Sequence, residues 1–396
     1  MTLKELASRL EIESYPDAFE EIYKELQGNN TAFFNKDEFD ALEKEYGILK
    51  EYYIYVLEGA EEIKKDKELS LFLSVVTEYY RVSTKAEIDA VKMPKRKTAG
   101  PDVTHIFPFL ARVATTIELY KAHGFSKEEI RDVLGIFRRC FELTLDFTGA
   151  YGFCSRYYNW TKLYSYCQIF DCGSFNFELR KMPFHAMLLK NKSTDEFSVI
   201  LTEGKFNKSG LFFDGESDSE EGSFLAEFSE TDEAYIAHEA VGGYVCRELE
   251  TFKKSEWECV VKRLDEVISL HIPKNADLSP EAIDRSIEMG IKMAKERFPE
   301  YSPKLIFCSS WLLDPQLAEL VGEHSKIVGF ANRFMRFPYT PCRGKMGFDF
   351  VFPGYSEDNL EALPEDTSLR RKLKEFYIGG GSTVFVPGFM TDTLIN

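Results

Sequence analysis

The chain has 396 residues, 44% of them hydrophobic and including 34 Phe and 20 Tyr, which is enough for two domains with separate cores. A formal net charge of −17 argues against nucleic acid or an anionic membrane as the main partner, because neither gains from an acidic surface. The eight Cys form no CxxC and no Cys/His pair at zinc-finger spacing, the N-terminal MTLKELASRLEIESY has no apolar signal core, and no apolar run approaches a membrane span, so a cytoplasmic protein with reduced thiols is expected.

The first part of the chain, to about residue 165, reads as helical. Leu3, Leu6 and Leu10, then Phe19, Ile22, Tyr23 and Leu26, recur at helical spacing, and further helices are expected over Lys36–Tyr46, Ile48–Ile63 and Leu69–Tyr80. KMPKRKTAGP is a basic loop. Gly124 suits a left-handed helix end, and Ser126 with Glu129 forms a capping box that opens a helix running to Gly149. The aromatic-rich stretch Tyr151–Tyr166 predicts a helix packing its rings at a domain boundary, or a stacking platform for a ligand.

After Cys172-Gly173 the pattern changes to period two: SFNFELRKM, FHAMLLKN, FSVILTE, GLFF, EAYIAHEAV and GYVCREL all read as strands. The acidic DGESDSEEG has Leu225 where a calcium loop would need its closing Glu, so it reads as solvated surface. VISLHI is a near-continuous apolar run, as expected of a strand buried on both faces, and Pro273 stops it. Ser279 as N-cap, Pro280 at the first helical position and Glu281 in the first turn then open a helix whose buried face carries Ile283, Ile287, Ile291, Ala294 and Phe298. A short strand over Lys304–Cys308 and a helix capped by Asp314 follow. Ile327–Phe337 and Thr383–Pro387 are expected to be strands, with a helix in LEALPEDTSLRRKLKEFY between them.

No phosphate-loop, dinucleotide, zincin or nucleophile-elbow motif is present, and GGGS at 379–382 lies after a helix and before a strand, the wrong order for a phosphate cradle. The start of the helix at Ser279 offers backbone N–H groups and a positive dipole end, with Lys274 adding charge beside it. His271, at a buried strand's end, suits a general base or a core His satisfied by backbone. Cys308 is a nucleophile or a small buried residue. Ser309 and Ser310 are turn residues or site residues, and Trp311 is core or pocket wall. Glu178 faces solvent, or faces a cleft and acts as a base.

SLHIP, LSPEAIDRSIEMGIKMAKERFPE, FCSSWLLDPQL and IVGFANRF, with DCGSFNFEL and Trp257 upstream, resemble the bacterial acyltransferases that join a helical N-terminal domain to a GNAT-like C-terminal domain. Phe177 and Glu178 match that family's strand motif, while Ser174 and Asn176 replace its arginine and glutamine. The resemblance spans roughly residues 105–340 and implies an α+β chain, with helices over 1–168 and a mixed-sheet GNAT-like domain over 169–396. It also implies transfer of an acetyl or other acyl group from acyl-CoA to a small-molecule or peptide amine by direct attack. His271 and Glu178 would be base candidates, and Ser309 or Ser310 would support the leaving thiolate. Acyl-CoA would lie against Ile272, Lys274, Asn275, Leu278, Ser279 and Trp311. Two features depart from the family: KNADLSPEA lacks the glycines of the usual pyrophosphate loop, and DPQLAEL has no Tyr to protonate the thiolate. A non-catalytic CoA- or small-ligand-binding protein and a thiol acyl-enzyme through Cys308 are therefore the rival readings. Nothing in the sequence sets the oligomeric state.

Overall fold

The computed structural model describes residues 1–27, 32–94, 100–211, 221–338 and 345–395, and the chain forms two compact units, Met1–Phe170 and Asp171–Asn396. Most of the expected loops KMPKRKTAGP and DGESDSEEG, and the last two residues of GLFF, lie outside the described residues.

The first unit is helical: α1 (Leu3–Arg9), α2 (Ala18–Leu26), α3 (Lys36–Tyr46), α4 (Tyr53–Lys65), α5 (Lys67–Val82), α6 (Lys85–Ile88), α7 (Phe107–Ala122), α8 (Lys127–Leu134), α9 (Ile136–Thr148) and α10 (Tyr158–Ser165). Ser126 and Glu129 cap each other as expected, and Gly124 is left-handed at φ +74°. The helix predicted to run on to Gly149 instead divides at Gly135, and Gly149 then ends α9 in the left-handed conformation. The buried guanidinium of Arg112 donates to the carbonyls of Tyr80 and Ser83 at 2.9 and 3.1 Å and lies 3.8 Å over the Tyr166 ring. Tyr80 and Ser83 close α5, so the charge sits at the negative end of a helix dipole, which offsets much of its desolvation.

The second unit is built on strands β1 (Ile169–Cys172), β2 (Phe175–Lys181), β3 (Ala186–Asn191), β4 (Phe197–Leu201), β5 (Lys205–Phe206), β6 (Phe224–Leu225), β7 (Phe228–Glu230), β8 (Ala234–Val241), β9 (Tyr244–Lys253), β10 (Trp257–Val261) and β11 (Glu266–His271). Helix α11 (Pro280–Arg297) leads to β12 (Ile306–Ser310), then α12 (Leu317–Val321), α13 (Lys326–Ala331), β13 (Met335–Arg336), α14 (Lys345–Val351), α15 (Ser368–Ile378) and β14 (Val386–Met390). One sheet has the order β1-β2-β11-β12-β14-β13. The other runs β10-β3-β4-β8-β7 with β9 also on β8, and β5 and β6 form a hairpin.

The two sheets share an apolar core that joins Val267, Phe307 and Phe389 of the first to Leu188, Val199 and Leu201 of the second. The opposite face of the first sheet receives α11. Ile283 and Ile287 are buried there, each stabilising by about 2 kcal/mol through area removed from water. A Cβ on Gly290 would lie 2.6 Å from the Phe177 ring, so the close helix–sheet approach needs glycine despite its helix-propensity cost of about 1 kcal/mol.

The expected strand over Ile327–Phe337 is mostly helix: Ser325 accepts the Val328 N–H at 3.2 Å and opens α13, leaving only Met335–Arg336 to pair with β14. Short apolar runs do not distinguish the two states, and here the cap decides. The last strand falls at Val386–Met390 rather than Thr383–Pro387.

Candidate active site

The pairing register opens the site. Strands β11 and β12 run parallel and pair through Ile268–Ile306, Ser269–Phe307 and Leu270–Cys308, where the pairing stops. Strand β11 goes on, antiparallel to β2, as far as His271–Asn176, while β12 goes on against β14 as far as Ser310–Val386. Past Leu270–Cys308 each strand pairs only with its outer neighbour.

Alternation along the strands puts Asn176, Glu178 and Arg180 of β2, Ser269 and His271 of β11, and Ser309 of β12 on one face, the face away from α11. His271 Nε2 lies 2.9 Å from Glu178 Oε2, and Arg180 approaches the same oxygen at 3.4 Å. A carboxylate only accepts hydrogen bonds, so Nε2 carries a proton toward Glu178. Glu178 is 5% exposed, whereas the His271 side chain is about a quarter exposed. The carboxylate is therefore buried behind an imidazole that reaches the opening. Asn176, directly across from His271, donates to Asp171 at 2.7 Å, and Ser269, across from Glu178, is 2% exposed.

Beyond the gap, Ile272 is half-buried and Lys274 and Asn275 are exposed on a turn closed by Ala276 N–H to the Pro273 carbonyl at 3.1 Å. Leu278 and Ser279 are half-buried. Ser279 takes the extended N-cap backbone, but its hydroxyl caps nothing; its own N–H instead donates to Asp277 at 2.9 Å, which holds the Asp277 carboxyl below its usual range.

Two expected residues move into the core. Cys308 is 0% exposed and burial pushes its thiol far above the range in which thiolate forms, which takes it away from nucleophilic chemistry. Trp311, 8% exposed, packs with Leu317, Phe348, Phe352 and Leu373 in a separate apolar cluster, so core rather than pocket wall describes it. Ser310 accepts the Leu312 N–H at 3.1 Å as the cap of the short turn after β12, leaving Ser309 as the serine on the polar face.

With this geometry the comparisons with known proteins are informative. Residues 169–390 match the family described as the GNAT-like C-terminal domain. The chain belongs to that family. Among solved structures, the GNAT-like chain is similar to an acyltransferase in complex with decanoyl-CoA and teicoplanin, at TM-score 0.60 and 18% identity, over 98% of this chain and 99% of that one. It is also similar to an acyltransferase mutant in complex with octanoyl-CoA, at TM-score 0.62 and 18% identity over the full length of both. A third, an acyltransferase in complex with CoA and 10C-teicoplanin, has TM-score 0.59 at 18% identity, again over the full length of both chains. These likenesses show a shared fold, an α+β chain with a helical N-terminal region. No curated protein sequence matches the chain.

Sequence reasoning singled out His271, Glu178 and Ser309 but passed over Ser269 as a site residue, and treated Asn176 only as a departure from the family motif. The signal was present: Asn176 and Glu178 are two apart in a strand, as are Ser269 and His271. It also missed Asp314 as a buried acid. This residue is 1% exposed and accepts N–H groups from Gln316 and Val384 at 2.9 and 2.8 Å, while burial pushes its carboxyl up to about 6.

Proposed function

We propose that this GNAT-like protein is an acyl-CoA-dependent N-acyltransferase whose donor lies in the gap between the parted ends of β11 and β12. The observation that carries the reading is the His271–Glu178 pair at 2.9 Å, one position past the last pairing of β11 with β12. An acyl thioester needs an extended slot with free strand edges. Ile272, Lys274, Asn275, Leu278 and Ser279 follow directly from β11 and lead to the start of α11, which favours the pyrophosphate. Lys274 supplies charge there.

The chemistry is a direct transfer. The amine nitrogen attacks the thioester carbonyl carbon and gives up its proton to the His271 imidazole. The new C–N bond forms, the C–S bond breaks, and the leaving thiolate takes up a proton from the imidazolium. Glu178, buried and hydrogen-bonded to Nε2, acts as a positioning residue: it fixes the tautomer and stabilises the imidazolium that forms. We assign support of the thiolate to the Ser309 hydroxyl on the polar face of β12, because the DPQLAEL segment that follows has no Tyr. Octanoyl and decanoyl groups on the ligands of the similar structures make medium-chain acyl-CoA the first donor to try, beside acetyl-CoA.

The test is thiol release from octanoyl-CoA and acetyl-CoA against a panel of small-molecule and peptide amines. Amine-dependent release that disappears in His271→Ala supports the reading. CoA binding without release by any amine would instead favour the non-catalytic binding protein, a reading that the glycine-free loop at 274–282 supports.

A further inference from the structure

The second sheet ends on a long edge. Among the described residues β9 pairs with β8 alone, whereas β4 and β7 share the other side of β8. The start of that edge is closed, because the Val245 N–H donates to the Gly210 carbonyl at 2.9 Å. From Arg247 to Thr251 every residue of the strand is exposed. Two bonds give the direction of the main chain there. The Lys254 N–H donates to the Glu233 carbonyl at 2.7 Å, toward the β8 side, and the Ala234 carbonyl accepts the Thr231 N–H at 2.9 Å, away from β9. Main-chain groups alternate along an antiparallel pair, so Glu250 and Phe252 bond to Ala237 and Tyr235, while Leu249 and Thr251 turn their N–H and C=O groups outward. Neither of these two has a further hydrogen-bond partner among the described residues.

The side chains say which strand such an edge accepts. Burial, then the charges of Glu239, Glu248 and Glu250, push the Cys246 thiol up, which places the three carboxylates around it on one face. Glu248 and Glu250 are exposed, and Glu239 accepts the Ser198 hydroxyl at 2.7 Å. None of the three pairs with a cation among the described residues. The two lysines that follow are already paired, Lys253 with Glu256 at 3.6 Å and Lys254 with Glu230 at 2.7 Å. Arg247 is drawn to the β5–β6 hairpin, where it lies 5.0 Å over the Phe224 ring and donates to the Gly222 carbonyl. The opposite face of the edge carries Leu249, 44% exposed.

We propose that the β9 edge takes up an extended basic segment of a partner protein as an added antiparallel strand, its main chain bonded to Leu249 and Thr251 and its lysines set beside Glu248 and Glu250. Directly opposite residues share a face, so the segment reads Lys–apolar–Lys, with the apolar side chain against Leu249. Exposed edges are commonly guarded by charge, and here charge of one sign turns away all but a basic strand. A second copy of this chain is a poor occupant. A twofold axis through residue 248, 249 or 250 would set Glu248 against Glu250, or one of them against itself.

The experiment titrates three blocked heptapeptides into the full chain by fluorescence anisotropy: TKVKVKT, its counterpart TEVEVET, and TKVKVKT N-methylated at both valines. N-methylation keeps the charge but removes the N–H groups that an added strand would give to β9. TKVKVKT is expected to bind at least about tenfold more tightly than the N-methylated peptide, and TEVEVET is expected not to saturate below millimolar concentration. The double variant Glu248→Gln/Glu250→Gln, at two exposed positions, should weaken TKVKVKT by about tenfold. Amide exchange at Leu249 and Thr251 should slow by about tenfold in the complex. Equal affinity for the N-methylated peptide, no effect of the double variant, unchanged exchange at both amides, or no saturable binding of TKVKVKT in the millimolar range would each overturn the proposal.

Discussion

His271 and His238 both sit on strands of the same unit, and they differ in which nitrogen is spoken for. His271 gives Nε2 to the buried Glu178 carboxylate, one position past the last pairing of β11 with β12. His238 gives Nδ1 to a backbone carbonyl and keeps Nε2 buried, with no hydrogen-bond partner among the described residues. A carboxylate behind an imidazole stabilises the imidazolium and so suits proton transfer. A neutral carbonyl fixes the tautomer without stabilising charge. The partner of the ring, rather than the ring, sets whether charge on it is stabilised.

The sharpest way to break that contrast is to remove the proposed base. His271→Ala is expected to lower amine-dependent thiol release by about a hundredfold to ten-thousandfold, the span of general-base catalysis, with the affinity for CoA unchanged. Full activity in this variant would remove His271 from the mechanism. Glu178→Gln keeps the shape but takes away the charge behind the ring. Its kcat is expected to fall by about a hundredfold at constant KM for acyl-CoA, because the residue acts through His271 and not on the donor. A change in KM alone would make Glu178 a binding residue.

A third buried group extends the comparison to stability. Asp314 is satisfied by backbone N–H groups, yet burial leaves its folded value raised, to about 6 from 3.8. Below 3.8 the carboxyl is protonated in both the folded and the unfolded chain, and its contribution to stability is fully present. As pH rises through about 6 the folded state must hold a buried charge, and that contribution is lost, by about 3 kcal/mol in all. Asp314→Asn removes this slope, so urea titrations between pH 4 and 7 should show a weaker pH dependence than wild type; an identical dependence would show that Asp314 does not titrate there. The smallest effect belongs to Cys308→Ala, expected to cost about 1–2 kcal/mol of stability and to leave thiol release within a few-fold of wild type. Loss of activity in a folded Cys308→Ala protein would bring back the thiol acyl-enzyme.

Much of the fold was legible because its signals are local. Period two in FNFEL, the apolar run of VISLHI and the Ser279-Pro280 helix start each report a state set by nearby residues. IVGFANRF was misread as a strand because an apolar run carries no period, and the deciding cap, Ser325, lies outside it. The site was half legible. His271 and Glu178 are 93 residues apart, and nothing local says that antiparallel pairing of β2 with β11 sets them diagonally on one face. Where β11 and β12 stop pairing was implied by the family resemblance and by no local pattern, since it depends on where β2 and β14 continue to pair. His238 was read only as part of a strand. Its partner is a main-chain carbonyl, which leaves no mark in the amino-acid pattern.

The measurement that bears most directly on the account is a calorimetric titration of octanoyl-CoA and CoA into the full chain. One saturable site with affinity in about the micromolar range, kept in His271→Ala and weakened by Lys274→Ala, is the predicted result. No binding of either compound up to millimolar concentration would contradict the acyl-CoA site between β11 and β12.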